Sequence, residues 1–272
     1  MIETDVKETT LFGRKGIKVF VDRPSSIKEF VKKTVEKYGY KDAIFLEDAN
    51  TKMTYKELDE KSDRLIGALQ SKYGIKKGDR VATLLGNSFE FAIVVLACVK
   101  SGIIMVPVNT KLKVPEVSYI LSHSKPKAVI ADEETLPIVQ EINKSDSQAA
   151  PFVKNVIYVG ERSPFENFHA LINENHPLKE EQIHETDPAL IMYTSGTTGR
   201  PKGAVISHIN VIHTCLHYHR AFNGSPDDRS VMAVPFFHVT GLVAQFLLTV
   251  FTGSSILIFK RYQNEKYIKQ CY

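Results

Sequence analysis

The stretch YTSGTTGRPKGAV, Tyr193 to Val205, gathers small, hydroxylated and cationic residues in very little chain. Gly196, Gly199 and Gly203 open backbone conformations closed to other residues and let amide N–H groups approach a ligand with no Cβ in the way. Thr194, Ser195, Thr197 and Thr198 add hydroxyl donors, and Arg200 and Lys202 bring positive charge at the far end. Such a bend suits an anion with several charges, a polyphosphate above all. Two common phosphate motifs do not fit. A P-loop needs Gly-x-x-x-x-Gly-Lys-Ser/Thr, but Pro201 stands five places after Gly196 and Lys202 precedes a glycine. The dinucleotide Gly-x-Gly-x-x-Gly spacing is absent as well. The bland alternative is a Ser/Thr/Gly surface loop, since loops are rich in these residues, and composition alone leaves both readings open.

A second polar group stands in PFFHVTGL, Pro235 to Leu242, where His238 reads either as a satisfied core histidine or as a group facing a ligand. His213 and His217 are four apart, the spacing of a zinc pair on one helix face, yet neither cysteine nor acidic ligand accompanies them. With His208 and His219 they read as ordinary helix-surface histidines, and no metal site is assigned.

Strand-like and helix-like patterns alternate around these groups. A strand at Ala43–Leu46 precedes a helix from Thr54 to about Tyr73, announced by the Thr54–Glu57 capping box and by Leu58, Leu65 and Leu69 at helical spacing. Then come a strand at Val81–Leu85, a helix from Ser88 to Ser101 stopped by Gly102, and a strand at Ile103–Val106 ended by Pro107. A helix near Pro115–His123, a strand at Ala128–Ala131, a helix over about Glu133–Ile142 and a strand at Val156–Val159 continue the rhythm. Gly160 to Asp187 is polar and turn-rich and reads as a connection between two sheet units. Beyond it the strand Leu190–Tyr193 enters the glycine loop, which returns as a strand at Gly203–Ile206, and Ser207 caps a helix to Phe222. A strand at Val231–Val234, a helix at Val239–Phe251, a strand at Ile256–Phe259 and the start of a helix at Glu265–Gln270 follow. This alternation predicts an α/β fold of largely parallel sheets covered by helices. The last strand is expected to lie at a raw sheet edge, through which copies could associate.

Composition bounds the function. The 272 residues are 43% hydrophobic, with net charge +4 from 35 basic and 31 acidic residues and no block of five like charges, so neither a nucleic-acid groove nor a polybasic anchor is indicated. Cys98, Cys215 and Cys271 are odd in number and widely spaced, which fits free thiols in a reducing, cytoplasmic compartment. Met1–Thr10 lacks the apolar core of a signal peptide. Ser230–Phe259 carries no Asp, Glu, Lys or Arg and exceeds the roughly 20 residues that span a bilayer. Pro235, His238, Gly241, Gln245 and the turn at Thr252–Ser255 break it, however, into a buried strand, helix and strand.

From Ile191 to Lys202 every position resembles the signature loop of the adenylate-forming (AMP-binding) superfamily, in its acyl-CoA synthetase or carboxylate–CoA ligase form. MTYKELDEKSDRLIGAL (Met53–Leu69) is similar to the family's early helix, CVKSGIIMVPVNTKL (Cys98–Leu112) to its next segment, and PFFHVTGL to the acyl-CoA synthetase version of the following motif. The resemblance covers roughly residues 20 to 270 and implies stacked, layered α/β units. Residues 1–165 would form the first subdomain of the AMP-binding domain and 166–272 a partial second one carrying the phosphate loop, with the C-terminal lid domain absent. By implication, Thr194, Ser195, Gly196, Thr197, Thr198 and Gly199 wrap the β- and γ-phosphates of ATP with Lys202 as a mobile countercharge. His238 stands beside the reacting carboxylate and α-phosphate, and Gly241 lines the acyl tunnel. The implied reaction activates a fatty or aromatic acid as an acyl-adenylate with release of pyrophosphate, then transfers it to coenzyme A. Its partners are small molecules: acid, ATP with Mg²⁺, and coenzyme A. The family's Mg²⁺-holding Thr-Glu segment, ribose-gripping Asp and C-terminal catalytic Lys have no counterpart in these residues. The chain thus looks truncated, and little activity is expected of it alone. A non-catalytic nucleotide- or partner-binding module derived from such a ligase is the alternative.

Overall fold

A computed structural model describes residues 5–47, 51–145, 149–161, 164–194 and 200–260. A hairpin, β1 (Val6–Leu11) and β2 (Arg14–Phe20), opens the chain and is followed by α1 (Ile27–Tyr38), β3 (Asp42–Leu46), β4 (Lys52–Thr54) and α2 (Tyr55–Tyr73). Next run β5 (Arg80–Leu84), α3 (Phe89–Ser101), β6 (Ile104–Pro107), α4 (Val114–Ser124), β7 (Ala128–Asp132), α5 (Leu136–Lys144) and, after a short turn of helix at Ala150–Phe152, β8 (Val156–Val159). The remainder comprises β9 (Glu166–Asn167), α6 (Phe168–Asn173), β10 (Pro188–Thr194), β11 (Lys202–Ser207), α7 (His208–Phe222) and β12 (Arg229–Met232). A π-helical run (Thr240–Leu247) continuous with α8 (Leu248–Thr252) and the strand β13 (Ser255–Ile258) complete it. The expected helix start at 265–270 lies outside the described residues.

Local chemistry explains the well-read elements. Both halves of the Thr54–Glu57 capping box form at the start of α2, and the chain leaves that helix through Gly74 in the left-handed region at φ 61°. Ser88 accepts the N–H of Phe91 to start α3, and Gly102 ends it at φ 71°. From Phe91 to Ser101 every residue of α3 is buried, the expected fate of a helix apolar on all sides. The one charged residue in that buried run, Lys100, is held by the carboxylate of Asp59, by Asp63 at 2.6 Å and by the hydroxyl of Ser62 at 2.9 Å. Burial pushes the Asp63 carboxyl above its ordinary value despite that neighbour.

The larger sheet has seven strands in the order β11-β10-β6-β5-β7-β8-β9, parallel except for the β10–β11 pair. The smaller has the order β12-β13-β3-β4, parallel except for β3–β4. Residues of both sheets join one core with α1, α2, α3 and α7, while α4 and α5 cover the other face of the larger sheet. Pairing crosses the expected boundary at 165/166 in both sheets, through β10 against β6 and β13 against β3. The expectation of a raw edge at the last strand is corrected: β13 sits between β12 and β3, because the β3–β4 hairpin crosses over to fill that place. Ser230–Phe259 folds as strand, helix and strand, and among the described residues no helix is long and apolar enough to cross a membrane.

Candidate functional site

The glycine loop grows from the carboxyl end of β10, a strand parallel to its neighbour β6, and ligands of open α/β sheets gather at such ends. Ser195, Gly196, Thr197, Thr198 and Gly199 lie outside the described residues. Their frame does not. The β10–β11 ladder sets Tyr193 opposite Gly203 and closes with Thr194 opposite Lys202, both exposed, so a hydroxyl and an ammonium flank the mouth of the loop. Gly203, read from sequence as a phosphate-loop glycine, serves another purpose. A Cβ there would stand 3.0 Å from Ile191 Cγ2 and 3.1 Å from Tyr193 Cζ, so its bareness makes room for the tyrosine ring across the ladder.

That ring reaches α4. The Tyr193 hydroxyl is hydrogen-bonded to Nδ1 of His123 at 2.6 Å, and burial raises its phenol above the ordinary value, keeping it protonated. His123 stacks on Tyr119 one turn earlier, with ring centroids 5.7 Å apart and planes at 14°. Arg200 lies 5.9 Å from the centroid of the same Tyr119 ring.

The second group of expected site residues follows β12. Asn87, just past the carboxyl end of β5, accepts the N–H of Phe236 at 2.8 Å and donates to the carbonyls of Val234 at 3.2 Å and Phe259 at 3.0 Å. One buried amide thus ties the carboxyl ends of β5, β12 and β13 together and fixes the turn that carries His238. Phe236 is anchored by stacking on Phe91 at 4.7 Å. His238 is exposed, so its core-histidine reading does not hold. Its Nδ1 accepts the N–H of Thr240 at 3.2 Å, which leaves Nε2 to carry the proton of the neutral ring. Gly241 is buried, and a Cβ there would fall 2.5 Å from the Pro235 carbonyl oxygen, so no other residue fits without a backbone shift. The helix it opens is wound as π, a form often found at functional sites.

The structure therefore assembles Thr194 with Lys202, and His238 with Gly241, as two pairs on the carboxyl side of the sheets. No hydrogen bond joins the pairs among the described residues. Asn87, Tyr119 and His123 join these groups only in three dimensions. A signal existed for each: an Asn in a Gly-Asn-Ser turn directly after a parallel strand, and a Tyr and His four apart on one helix face.

The surface assignment of the α7 histidines is corrected at His208, which is fully buried. Its Nδ1 accepts the N–H of Ile27 at 3.2 Å, and burial lowers its pKa to about 4. His213 stacks on Phe20 at 5.0 Å and His217 meets that ring edge-on at 4.9 Å. Among the described residues no group of three or more His, Cys, Asp or Glu side chains is placed to hold a metal ion.

Residues 31–271 match the AMP-binding enzyme family, and the chain belongs to it. It is 35% identical over 193 residues to the long-chain-fatty-acid–CoA ligase FadD13 of Mycobacterium tuberculosis, covering 71% of this chain and 37% of that protein. It is 30% identical over 252 residues to 2-succinylbenzoate–CoA ligase of Bacillus licheniformis, covering 92% of this chain and 48% of the relative. Among solved structures, the anthranilate CoA ligase AuaEII in complex with anthranoyl-AMP superimposes with a TM-score of 0.81 at 25% identity, over 89% of this chain and 46% of that one. The chain spans about half the length of the curated relatives it matches.

Proposed function

We propose that this chain carries the phosphate-gripping half of an ATP-dependent carboxylate–CoA ligase. The observation that supports this reading most is the closure of the β10–β11 ladder on Thr194 and Lys202, which presents a hydroxyl and a cation at the mouth of a glycine loop at the carboxyl end of a strand. In the proposed reaction the substrate carboxylate attacks the α-phosphorus of ATP, pyrophosphate leaves, and the thiol of coenzyme A then displaces AMP from the acyl-adenylate. Attack of an anion on a polyanion makes the barrier mostly electrostatic, so fixed N–H, O–H and cationic groups contribute most. Thr194, Ser195, Gly196, Thr197, Thr198 and Gly199 would hold the β- and γ-phosphates, and Lys202 would follow the charge onto departing pyrophosphate. His238, with its Nε2–H free of the Thr240 contact, would donate to the carboxylate or the α-phosphate oxygen; Gly241 would border the acyl site. Mg²⁺ would supply further charge neutralisation on the phosphates; the described residues around the loop do not form a metal site, and no step is assigned through it.

The acid is taken as fatty or aromatic, in keeping with the apolar helix after His238 and with what the names of the relatives state. Cys98 and Cys215 are free and buried, which supports a reducing, cytoplasmic setting. A non-catalytic nucleotide- or partner-binding module is the second reading.

Calorimetry with MgATP tests the first reading. Lys202→Ala should weaken binding about tenfold or more, the loss of one charge-assisted contact. Binding that is undetectable at millimolar ATP, or indifferent to Lys202, would refute it. Binding without adenylate formation by the full-length protein would favour the second reading.

A further inference from the structure

The tip of the β10–β11 hairpin is thinly supported by its own sheet. β11 is an edge strand, and β10 registers with β6 only at Leu190 opposite Met105. Continued in that register, β6 ends at Pro107 beside Met192, so Thr194 projects two residues beyond its neighbour strand, roughly 7 Å at about 3.3 Å per residue. What the sheet does not hold, α4 does. Before the loop, the Tyr193 hydroxyl bonds His123 Nδ1 at 2.6 Å; after it, Arg200 lies over the ring of Tyr119. Tyr119 and His123 are one turn apart and stack on each other, so both ends of the loop are tied to a single face of one helix. Beside these contacts the space between α4 and Arg200 is an open cleft of about 630 Å³, bordered also by Ser118, Ser122 and Phe152. The tip is thus carried at its far end on a few side-chain contacts.

We propose that His123 and Tyr119 are positioning residues. From α4 they fix the points at which the 195–199 stretch departs and returns, and so set Thr194 and Lys202 at the separation a polyphosphate requires. The inference rests on the phosphate-gripping reading above. A site held from a rigid helix keeps its donors where charge develops, and loss of such support loosens the donors without removing any of them.

The test uses the full chain, inorganic tripolyphosphate as probe, and the variants Tyr193→Phe, His123→Leu and His123→Asn. Tyr193→Phe and His123→Leu should each weaken tripolyphosphate binding about fivefold, the scale of one lost hydrogen bond. The double variant should be no weaker than either single one, because both remove the same contact. His123→Asn, which returns a hydrogen-bonding Oδ1 near the position of Nδ1, should restore binding to within about twofold of the parent. Amide hydrogen exchange across 194–202 without ligand should quicken in the Leu and Phe variants and not in the Asn variant, while the urea midpoint stays nearly constant. If the parent binds tripolyphosphate and His123→Leu binds as tightly with the same exchange, the positioning role is overturned and the phosphate reading stands. If the parent does not bind, the phosphate reading falls. Exchange then decides the anchoring: faster in Leu but not Asn upholds it, and equal rates overturn it.

Discussion

His208 offers the sharpest quantitative test of the core. It is the first residue of α7, and its Nδ1 accepts the N–H of Ile27, the first residue of α1. Two helix amino termini, each an accumulation of positive partial charge, therefore converge on one imidazole. The acceptor role of Nδ1 places the ring proton on Nε2, so a second proton would have to enter between Nδ1 and an N–H that already points at it. Burial drives the pKa from its ordinary 6.5 to about 4, with a smaller opposing pull from Asp187. Because the folded value lies below the unfolded one, the unfolded chain binds more protons in this window. The stabilisation is fully present above pH 6.5 and is lost as the pH falls towards 4. Linkage between these two values gives a loss of about 2 kcal/mol on going from about pH 7.5 to about pH 5, and about 3 kcal/mol at still lower pH. The assay is urea unfolding of the parent and His208→Asn at both pH values. The Asn Oδ1 can accept from Ile27 but does not titrate, and other titrating groups, including the partly buried His213, are common to both chains and cancel. The variant should lose about 2 kcal/mol less than the parent over that interval. Parallel pH dependences would refute the reasoning, as would an NMR titration in which the His208 ring charges above pH 6.

Three further substitutions probe the frame. Gly241→Ala forces a Cβ to within 2.5 Å of the Pro235 carbonyl oxygen and should cost about 2 kcal/mol or more in urea unfolding, with His238 displaced from its contact with Thr240. Asn87→Ala strands the Phe236 N–H and removes the donor to Val234 and Phe259, a loss of about 2–4 kcal/mol seen as a fall in Tm; Asn87→Asp should not rescue it, because the two donated bonds need the amide NH₂. Lys100→Ala leaves Asp59 and Asp63 facing each other across the space of the lost ammonium. It should cost about 2–3 kcal/mol near neutral pH, and part of that should return on acidification as Asp63 takes up a proton.

What could be read from the chain and what could not divide along the range of the interactions involved. The capping box at Thr54–Glu57 and the stop of α3 at Gly102 are decided within one or two turns of the chain, and each forms where expected. The glycines, hydroxyls and cations of the proposed phosphate loop are likewise contiguous, so the proposal could be made from one window of sequence, while residues 195–199 themselves lie outside the described structure. The six residues of α6 were hidden in a polar connection because so short a helix is stabilised by burial of Phe168, Leu171 and Ile172 and not by propensity. The supports of the site are invisible in any window. Asn87 and Phe236 are 149 residues apart, and His123 and Tyr193 are 70 apart. Gly203 illustrates the limit: as a residue type it suits a ligand loop, and only the ladder register, which sets Tyr193 opposite it, reveals that its missing side chain accommodates a tyrosine. The misplaced edge at β13 has the same origin. Reading the strands in chain order builds two sheets one after the other, whereas β3 and β4, made early, complete the sheet that β12 and β13 begin late. A chain of this kind cannot close its smaller sheet until residues 42–54 and 229–258 meet, so the turn bearing His238 is fixed by contacts that neither half contains alone.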